Sequence, residues 1–211
     1  MTQDQFQRAA GISAGLATRW FPHVEATFNA FSIATPIEQA MFIAQIGHES
    51  AGFTASVESF NYSQRSLKTT FGHRLSPDQI AMLGRQAGEK SVPLNRQKAI
   101  ANLVYGGRMG NKAPGDGWRY RGRGPMQLTG LDNYRACSTG LKLDLVGQPE
   151  LLELDIHAMH SAGWFWQSRN CGKCARDIEC VTRLINGGLN GIDDRKARFE
   201  LAKKVLVGNT A

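Results

Sequence analysis

The sequence predicts a mainly α-helical protein that forms a single domain, 1–211, with two lobes. Apolar residues recur at helical spacing along most of the chain, and strand patterns are almost absent. A glycine-rich stretch interrupts the helical pattern near the middle. A chain of this length buries a sizeable core without stapling disulfides. We therefore expect a globular helical fold.

Two helices are expected first, over 3–10 and 13–31, with a bend in the second at Pro22. The apolar face of the second helix consists of Trp20, Phe21, Val24, Phe28 and Phe31. Large aromatic side chains at helical spacing are typical of core packing. This face is therefore expected to be buried.

A third helix has a clear start signal. Thr35 suits the N-cap, Pro36 suits the first helical position, and Glu38 lies three residues past the cap, which predicts a capping box. The helix is expected to end near Glu49, which continues an apolar row. Partial desolvation and the negative end of the helix dipole both favour the protonated form of a carboxyl there, as a general acid requires.

A second carboxylate, Glu58, follows nine residues later. Gly47 and Gly52 are expected to loosen the chain between the two, and the neighbours of Glu58, such as Ser59, are polar and can leave it hydrated and ionised. Two carboxylates in contrasting environments are typical of an acid and base pair. A purely structural pair is the alternative.

The middle of the chain is interpreted as an inserted lobe. Helices are expected over about 77–87 and 94–104, and the glycine-rich stretch 106–124 is expected to be loop. The smaller lobe then spans about 62–112, and the larger lobe spans about 1–61 and 113–211. Further helices are predicted over 131–138, 153–168, 175–186 and 192–206.

Two later motifs are candidate binding elements. Tyr120–Thr129 places glycines between arginines and ends in Gln127 and Thr129, which can hold a hydroxyl, an amide or a water. It lacks the residue order of a phosphate-binding loop. Asn186 precedes two glycines, so it either ends a helix with Gly187 in the left-handed conformation or points its amide at a ligand.

The cysteines and histidines leave several interpretations open. Cys137, Cys171, Cys174 and Cys180 are compatible with structural zinc, one oxidised pair or free thiols. The spacing of His157 and His160 does not match a zinc protease motif. We expect neither a catalytic metal nor a cofactor.

The net charge is +7, from 25 Lys and Arg against 18 Asp and Glu. It favours a polyanionic partner such as nucleic acid, an anionic membrane surface or an acidic cell-wall polymer. Without a run of five basic residues, the excess is interpreted as dispersed, which favours a large anionic surface over a DNA groove. The polar N-terminal stretch resembles no secretory signal, so we expect synthesis in the cytoplasm without stable membrane insertion.

Taken in order, several motifs resemble glycoside hydrolase family 19 over about 35–200. They are His48-Glu49-Ser50, Glu58, Asn61-Tyr62-Ser63, Gly122–Gly130, Asn133-Tyr134, Ile185–Gly188 and Asp194-Arg195. The resemblance implies a lysozyme-like or chitinase-like helical fold with the active-site cleft between two lobes. Among family members, the chain is most similar to phage and prophage endolysins of Gram-negative hosts.

The resemblance also implies residue roles. It makes Glu49 the general acid and Glu58 the general base, and gives Thr129 the task of holding the attacking water. The substrate-binding residues it implies are Gln127, Asn133, Tyr134, Asn186 and Arg195, with Arg195 close to the acid. One departure is Asn190, which stands where many family chitinases have a glutamate.

The implied function is hydrolysis of β-1,4 bonds in peptidoglycan with inversion, which places the two carboxyl groups about 6.5–9.5 Å apart. Such an endolysin is made in the host cytoplasm, is released by a separate membrane-pore protein and acts in the periplasm, as a monomer that does not bind nucleic acid. The alternatives are a chitinase and a non-catalytic protein that binds cell wall or nucleic acid.

Overall fold

A computed structural model describes residues 1–54 and 57–208. In these ranges the chain forms eleven α-helices and two short 3₁₀ helices, and extended pairing is limited to isolated bridges such as Val57 with Arg123. The mainly α prediction is confirmed. The α-helices are α1 (Gln3–Ala10), α2 (Ala14–Ala30), α3 (Pro36–Glu49), α4 (Gln64–Phe71), α5 (Pro77–Leu83), α6 (Leu94–Tyr105), α7 (Asp116–Arg119), α8 (Leu131–Leu141), α9 (Asp155–Ser168), α10 (Ile178–Asn186) and α11 (Ile192–Leu206). The 3₁₀ helices are Pro149–Glu153 and Cys171–Cys174.

Most predicted helices form near their expected bounds, and two differences have local causes. α5 ends at Leu83, where Gly84 leaves the helical conformation for extended backbone, and its approach to Gln64 is so close that a side chain there would collide. α7 forms inside the stretch predicted to be loop. The turn before it is closed by the Asp116 carboxylate, which accepts hydrogen bonds from the Lys112 and Ala113 backbone N–H groups.

α3 is the central helix, and it packs mainly against α11 and α1. Thr35 accepts the predicted N-cap hydrogen bond from the Glu38 backbone N–H at 3.3 Å. The Glu38 carboxylate does not close the capping box and instead accepts from the Trp166 indole at 3.0 Å. The capping-box prediction is therefore half right, because packing against α9 provides Glu38 with another partner.

The buried side chains form three clusters. The first joins α1, α2, α3, α9 and α11 and includes Trp20, Val24 and Phe28, so the buried aromatic face of α2 is confirmed. The second draws its buried members from Phe60 to Val104, and the third from Tyr120 to Leu152. The segment predicted to be the smaller lobe thus has a core of its own, while its exact bounds stay a prediction.

The positive charge is concentrated in this lobe, which corrects the interpretation of a dispersed excess. Residues 62–112 hold nine Lys or Arg against Asp78 and Glu89, so their net charge of +7 equals that of the whole chain. Within the lobe, all of it described, only Arg96 is ion-paired, to Glu89. Seven of the basic residues are exposed: Arg65, Lys68, Arg74, Lys90, Lys98, Arg108 and Lys112. Attraction to polyanions is therefore a property of this lobe.

The cysteines resolve into one disulfide and two buried thiols. Cys174 is bonded to Cys180, whereas Cys137 and Cys171 are free and lie in different hydrophobic clusters. The four-cysteine zinc interpretation is therefore wrong. Over 1–54 and 57–208, no three His, Cys, Asp or Glu side chains are grouped to hold a metal ion, and no helix is long and apolar enough to cross a membrane.

Candidate active site

Glu49 lies at the C-terminal end of α3 and is bound to a buried arginine. Its carboxylate accepts a hydrogen bond from the Arg195 guanidinium at 2.5 Å. The side chain of Glu49 is 24% exposed and that of Arg195 is 2% exposed. The arginine of this ion pair is therefore buried in the core, while the Glu49 carboxylate is partly exposed at the surface.

Arg195 is fixed by two further acceptors. Its Nη1 donates to the side-chain oxygen of Gln45, one turn before Glu49, and its Nε donates to the Asn190 backbone oxygen at 3.0 Å. Gln45 in turn donates to the Thr182 hydroxyl at 3.1 Å. The Asn190 carbonyl thus accepts from Arg195 at the position where the resemblance leads us to expect a glutamate in many chitinases of the family.

A second ion-paired group holds α11 against the end of α3. Asp194 accepts from Arg198 at 2.8 Å and lies 2.7 Å from Nδ1 of His48. The His48 hydrogen bond, followed by the one from Arg198, lowers the pKa of Asp194. Arg198 is therefore occupied by Asp194, and Arg195 is the arginine beside Glu49.

The segment that follows Glu49 is pinned rather than loose, which corrects the expectation for Gly47 and Gly52. Gly47 lies inside α3. The Ser50 hydroxyl donates to the Ile46 carbonyl at 2.6 Å and accepts from the Phe53 backbone N–H at 2.9 Å. Phe53 is buried with a φ of 64°, an uncommon conformation that surrounding packing must hold.

Glu58 is held by hydrogen bonds on both oxygens. Oε1 accepts from the Tyr105 hydroxyl at 2.7 Å, and Oε2 accepts from the Gly122 N–H at 3.1 Å. The Glu58 backbone N–H donates to the Gly122 carbonyl at 2.8 Å. Tyr105 ends α6 in the smaller lobe, so Glu58 is anchored by that lobe and by the glycine-rich loop together.

The environment of Glu58 differs from the sequence expectation of a hydrated, ionised carboxylate. Burial raises the pKa of Glu58, and the hydrogen bonds from Tyr105 and Gly122 and the charge of Arg121 only partly oppose this shift. The polar neighbours along the chain do not determine its hydration, because distant residues cover it. Glu58 is consequently a stronger base than an exposed carboxylate.

Three candidate residues meet around Gly122. A side chain at this position would place its Cβ 2.6 Å from Oε1 of Gln127, and 3.2 Å from both Oε2 of Glu58 and the Thr129 hydroxyl. Only glycine lets these oxygens approach the backbone so closely. The structure thereby brings Glu58, Gln127 and Thr129 into one small polar site.

The side-chain donors of this site are hydrogen-bonded to backbone carbonyl groups. The Thr129 hydroxyl donates to the Gln127 carbonyl at 2.8 Å, the Gln127 amide donates to the Gly124 carbonyl at 3.1 Å, and the Asn133 amide donates to the Thr129 carbonyl at 2.7 Å. The lone pairs of the Thr129 hydroxyl are left to accept from a water or a sugar hydroxyl. Gln127, Thr129 and Asn133 line a groove of about 400 Å³.

Two residues expected to bind substrate are placed elsewhere. Tyr134 is fully buried, its hydroxyl accepts from Arg123 at 2.9 Å and donates to the Arg121 carbonyl at 2.7 Å, and burial raises its pKa to about 12. It supports the loop that carries Gly122. Arg195 is equally buried, so it contacts Glu49 and cannot lie against a sugar.

Asn186 is the last residue of α10, and the backbone after it has the geometry of an ordinary helix C-terminus. Gly187 has a φ of 75°, so the predicted left-handed helix stop is confirmed. The Asn186 amide donates to the Asn190 carbonyl at 3.2 Å, and its oxygen accepts from the Gly188 N–H at 2.8 Å. The side chain therefore shapes the loop whose Asn190 carbonyl holds Arg195, and it stays partly exposed.

Sequence reasoning missed two residues of the site, Gln45 and Tyr105. Gln45 could have been found, because a glutamine four residues before Glu49 shares its helix face and is buried among apolar neighbours. Tyr105 carries no local signal, since its contact with Glu58 spans 47 residues.

Comparison with known proteins places the chain among chitinase-like enzymes. The glycoside hydrolase family 19 model described as "Chitinase class I" matches residues 60–182. A "Glycosyl hydrolase family 19 domain-containing protein" of Haemophilus influenzae is 38% identical over 194 residues, with 87% of this chain and 92% of that protein covered. The family model begins after Glu58, so it does not itself test the two carboxylates.

Two further comparisons extend the picture. "Chitinase 8" of Oryza sativa subsp. japonica is 47% identical over 104 residues, with 38% of this chain and 40% of that protein covered. The crystal structure of chitinase C from Streptomyces griseus matches with a TM-score of 0.60 at 20% identity, over 100% of this chain and 78% of that chain. The latter establishes likeness of fold.

The Arg195 network predicts a large stability difference between two arginines of α11. Arg195→Gln leaves the Glu49 carboxylate without its buried partner and should lower the free energy of unfolding by about 3 kcal/mol. Arg198→Gln breaks a pair with the half-exposed Asp194 and should cost less than about 1 kcal/mol. Urea unfolding followed by circular dichroism measures both, and equal losses would contradict the network.

The Tyr105 contact predicts a change in pH dependence. Tyr105→Phe removes a hydrogen bond that favours the ionised form of Glu58, so the pKa of Glu58 should rise further. If Glu58 acts as a base, the acidic limb of the kcat/KM profile moves to higher pH. Tyr62→Phe is the matched control, because the Tyr62 hydroxyl makes no hydrogen bond within the described residues. An unmoved limb in Tyr105→Phe would show that Tyr105 does not tune Glu58.

Proposed function

Because the chain belongs to glycoside hydrolase family 19 and is therefore a glycoside hydrolase, we propose that it cleaves the β-1,4 bonds of peptidoglycan as an endolysin. Glu49 is the general acid that protonates the leaving oxygen. Glu58 is the general base that activates a water on the opposite face of the sugar, and the reaction proceeds with inversion.

The surroundings of Glu58 support the role of base, and those of Glu49 favour the release of a proton to the leaving oxygen. The charge of Arg195 stabilises the carboxylate that remains once Glu49 has given up its proton. Burial makes Glu58 a stronger proton acceptor, and the Thr129 hydroxyl beside it can accept a hydrogen bond from the attacking water. Tyr105 and the Gly122 N–H orient Glu58 for this task.

The charge of the smaller lobe is the observation that favours peptidoglycan over chitin. Chitin is an uncharged polymer, whereas the peptide stems of peptidoglycan carry free carboxylates. Residues 62–112 carry the whole net charge of +7, and one end of this lobe, Tyr105, contacts Glu58. An anionic polymer is therefore attracted to the lobe that also supplies Tyr105, the hydrogen-bond partner of the proposed base.

Chitin is the second candidate, and the names of the relatives favour it. The rice and Streptomyces proteins are described as chitinases, and the groove residues Gln127 and Asn133 suit N-acetylated sugars. Binding to cell wall or nucleic acid without catalysis is the third candidate. The one observation that supports it is the net charge of +7 on residues 62–112. The ordered surroundings of both Glu49 and Glu58 favour catalysis.

The cellular setting completes the proposal. Peptidoglycan of Gram-negative bacteria lies in the periplasm, so the enzyme acts there to lyse the cell. We propose production in the cytoplasm of the host bacterium, release through a pore made by a separate membrane protein, and action as a monomer. Comparison of lysis with and without a co-expressed pore protein tests this setting.

The proposed roles predict that Glu49→Gln and Glu58→Gln each lose about 10²–10⁴-fold in kcat on purified Gram-negative peptidoglycan, because this is the typical contribution of one acid or base catalyst. Wild type should release fragments with a new reducing-end sugar, and mass analysis of the fragments identifies the bond. Both variants should keep the circular dichroism spectrum of the wild type.

Glu200→Gln is the matched control, because it removes an exposed carboxylate at a distance from the groove and should keep full activity. Release of amino acids in place of reducing sugars would contradict glycosidase action on peptidoglycan. Turnover of chitin oligosaccharides with none of peptidoglycan would establish the chitinase. Salt-sensitive binding without turnover on either polymer would establish a binding protein.

A further inference from the structure

The groove beside Thr129 continues beyond the residues that the reaction needs. It is lined by Gln127, Thr129 and Asn133 together with residues at the C-terminal end of α9. These are Trp164, Phe165 and Ser168 of α9 and Arg169, its C-cap residue. A sugar held at Gln127 and Asn133 would therefore direct one of its substituents toward α9.

The floor of the groove is apolar. Met109, Met126 and Leu128 line it together with two of the aromatic rings of α9, Trp164 and Phe165. Such a lining binds methyl and methylene groups better than sugar hydroxyls. The volume of about 400 Å³ exceeds what an unsubstituted hydroxyl on a sugar ring requires.

Arg169 supplies an unpaired positive charge on this groove. Its side chain is exposed, and its guanidinium carbon lies 5.3 Å from the centre of the Phe165 ring, which holds it by a cation–π interaction. No carboxylate in the described part of the chain forms an ion pair with it. An apolar groove that carries one guanidinium fits a short aliphatic group ending in a carboxylate.

We propose that this groove binds the lactyl-peptide substituent of N-acetylmuramic acid and that Arg169 pairs with a carboxylate of that peptide. The methyl groups of the lactyl and alanyl units lie against Met126 and Phe165, and the acidic residue of the stem reaches Arg169. Arg169 is then a specificity-determining residue. The inference rests on the proposed function, since chitin has no such substituent.

The test compares two forms of one polymer. Intact peptidoglycan is compared with the same glycan strands after an amidase has removed the peptides and the lactyl carboxylates left behind have been converted to methylamides. Each form is digested, and kcat/KM is measured by new reducing ends. Wild type should prefer intact strands by at least tenfold. Arg169→Gln should lose roughly tenfold on intact strands and little on stripped strands, because it removes one charge-assisted hydrogen bond.

Arg176→Gln is the matched control, since Arg176 is also exposed and lies outside the groove. It should keep the wild-type preference. Arg169 also lies at the C-terminal end of α9, where a cation stabilises the helix. A purely structural role would lower the melting temperature and reduce kcat/KM on both substrates by the same factor.

The outcomes separate this inference from the proposed function. A preference for intact strands that collapses in Arg169→Gln and persists in Arg176→Gln supports the inference. A wild type that cleaves both forms equally, or a preference that Arg169→Gln does not change, overturns it and leaves peptidoglycan hydrolysis standing. A wild type that cleaves chitin oligosaccharides and neither form of peptidoglycan overturns both.

Discussion

The rest of the site depends on the ion pair between Glu49 and Arg195. An arginine is expensive to bury, so its charge must be paired and its remaining donors must find acceptors. Here Gln45 and the Asn190 carbonyl accept from the same guanidinium. The pair thereby joins the end of α3, the start of α11 and the loop after α10, and it fixes where the Glu49 carboxylate reaches the surface.

The second carboxylate, Glu58, is positioned by hydrogen bonds from residues that are distant in the sequence. Glu58 follows a segment pinned by Ser50 and Phe53, and its oxygens are bound by Tyr105 of the smaller lobe and by Gly122 of the glycine-rich loop. The buried Tyr134 supports that loop by a hydrogen bond from its hydroxyl to the Arg121 carbonyl. Placement of Glu58 thus depends on two hydrophobic clusters, the one against which Tyr105 packs and the one that contains Tyr134. The segment 62–112 also carries the net positive charge of the chain, so this charge and the Tyr105 anchor of Glu58 belong to one structural unit.

Local sequence signals predicted most helices and several site residues, because caps, apolar periodicity and glycine stops act over a few residues. Thr35 marks the start of α3, and Gly187 marks the end of α10. The failures involve distant partners. Each failure depends on a residue outside the local stretch of chain. Glu58 is covered by Tyr105, Glu38 accepts from Trp166 in place of its own N-cap, and the buried Tyr134 is bound by Arg123. Charge was also misjudged, since a lobe can concentrate basic residues without any run of them.

We propose that Glu58 activates a water that displaces the leaving sugar directly, while Glu49 protonates the leaving oxygen. The most direct test is proton NMR of the first product formed from peptidoglycan by the wild-type enzyme, recorded before mutarotation. Direct displacement of a β-linked sugar predicts that the new reducing end appears first as the α-anomer. A β-anomer as the first product would indicate a covalent intermediate and would contradict the roles assigned to the two carboxylates.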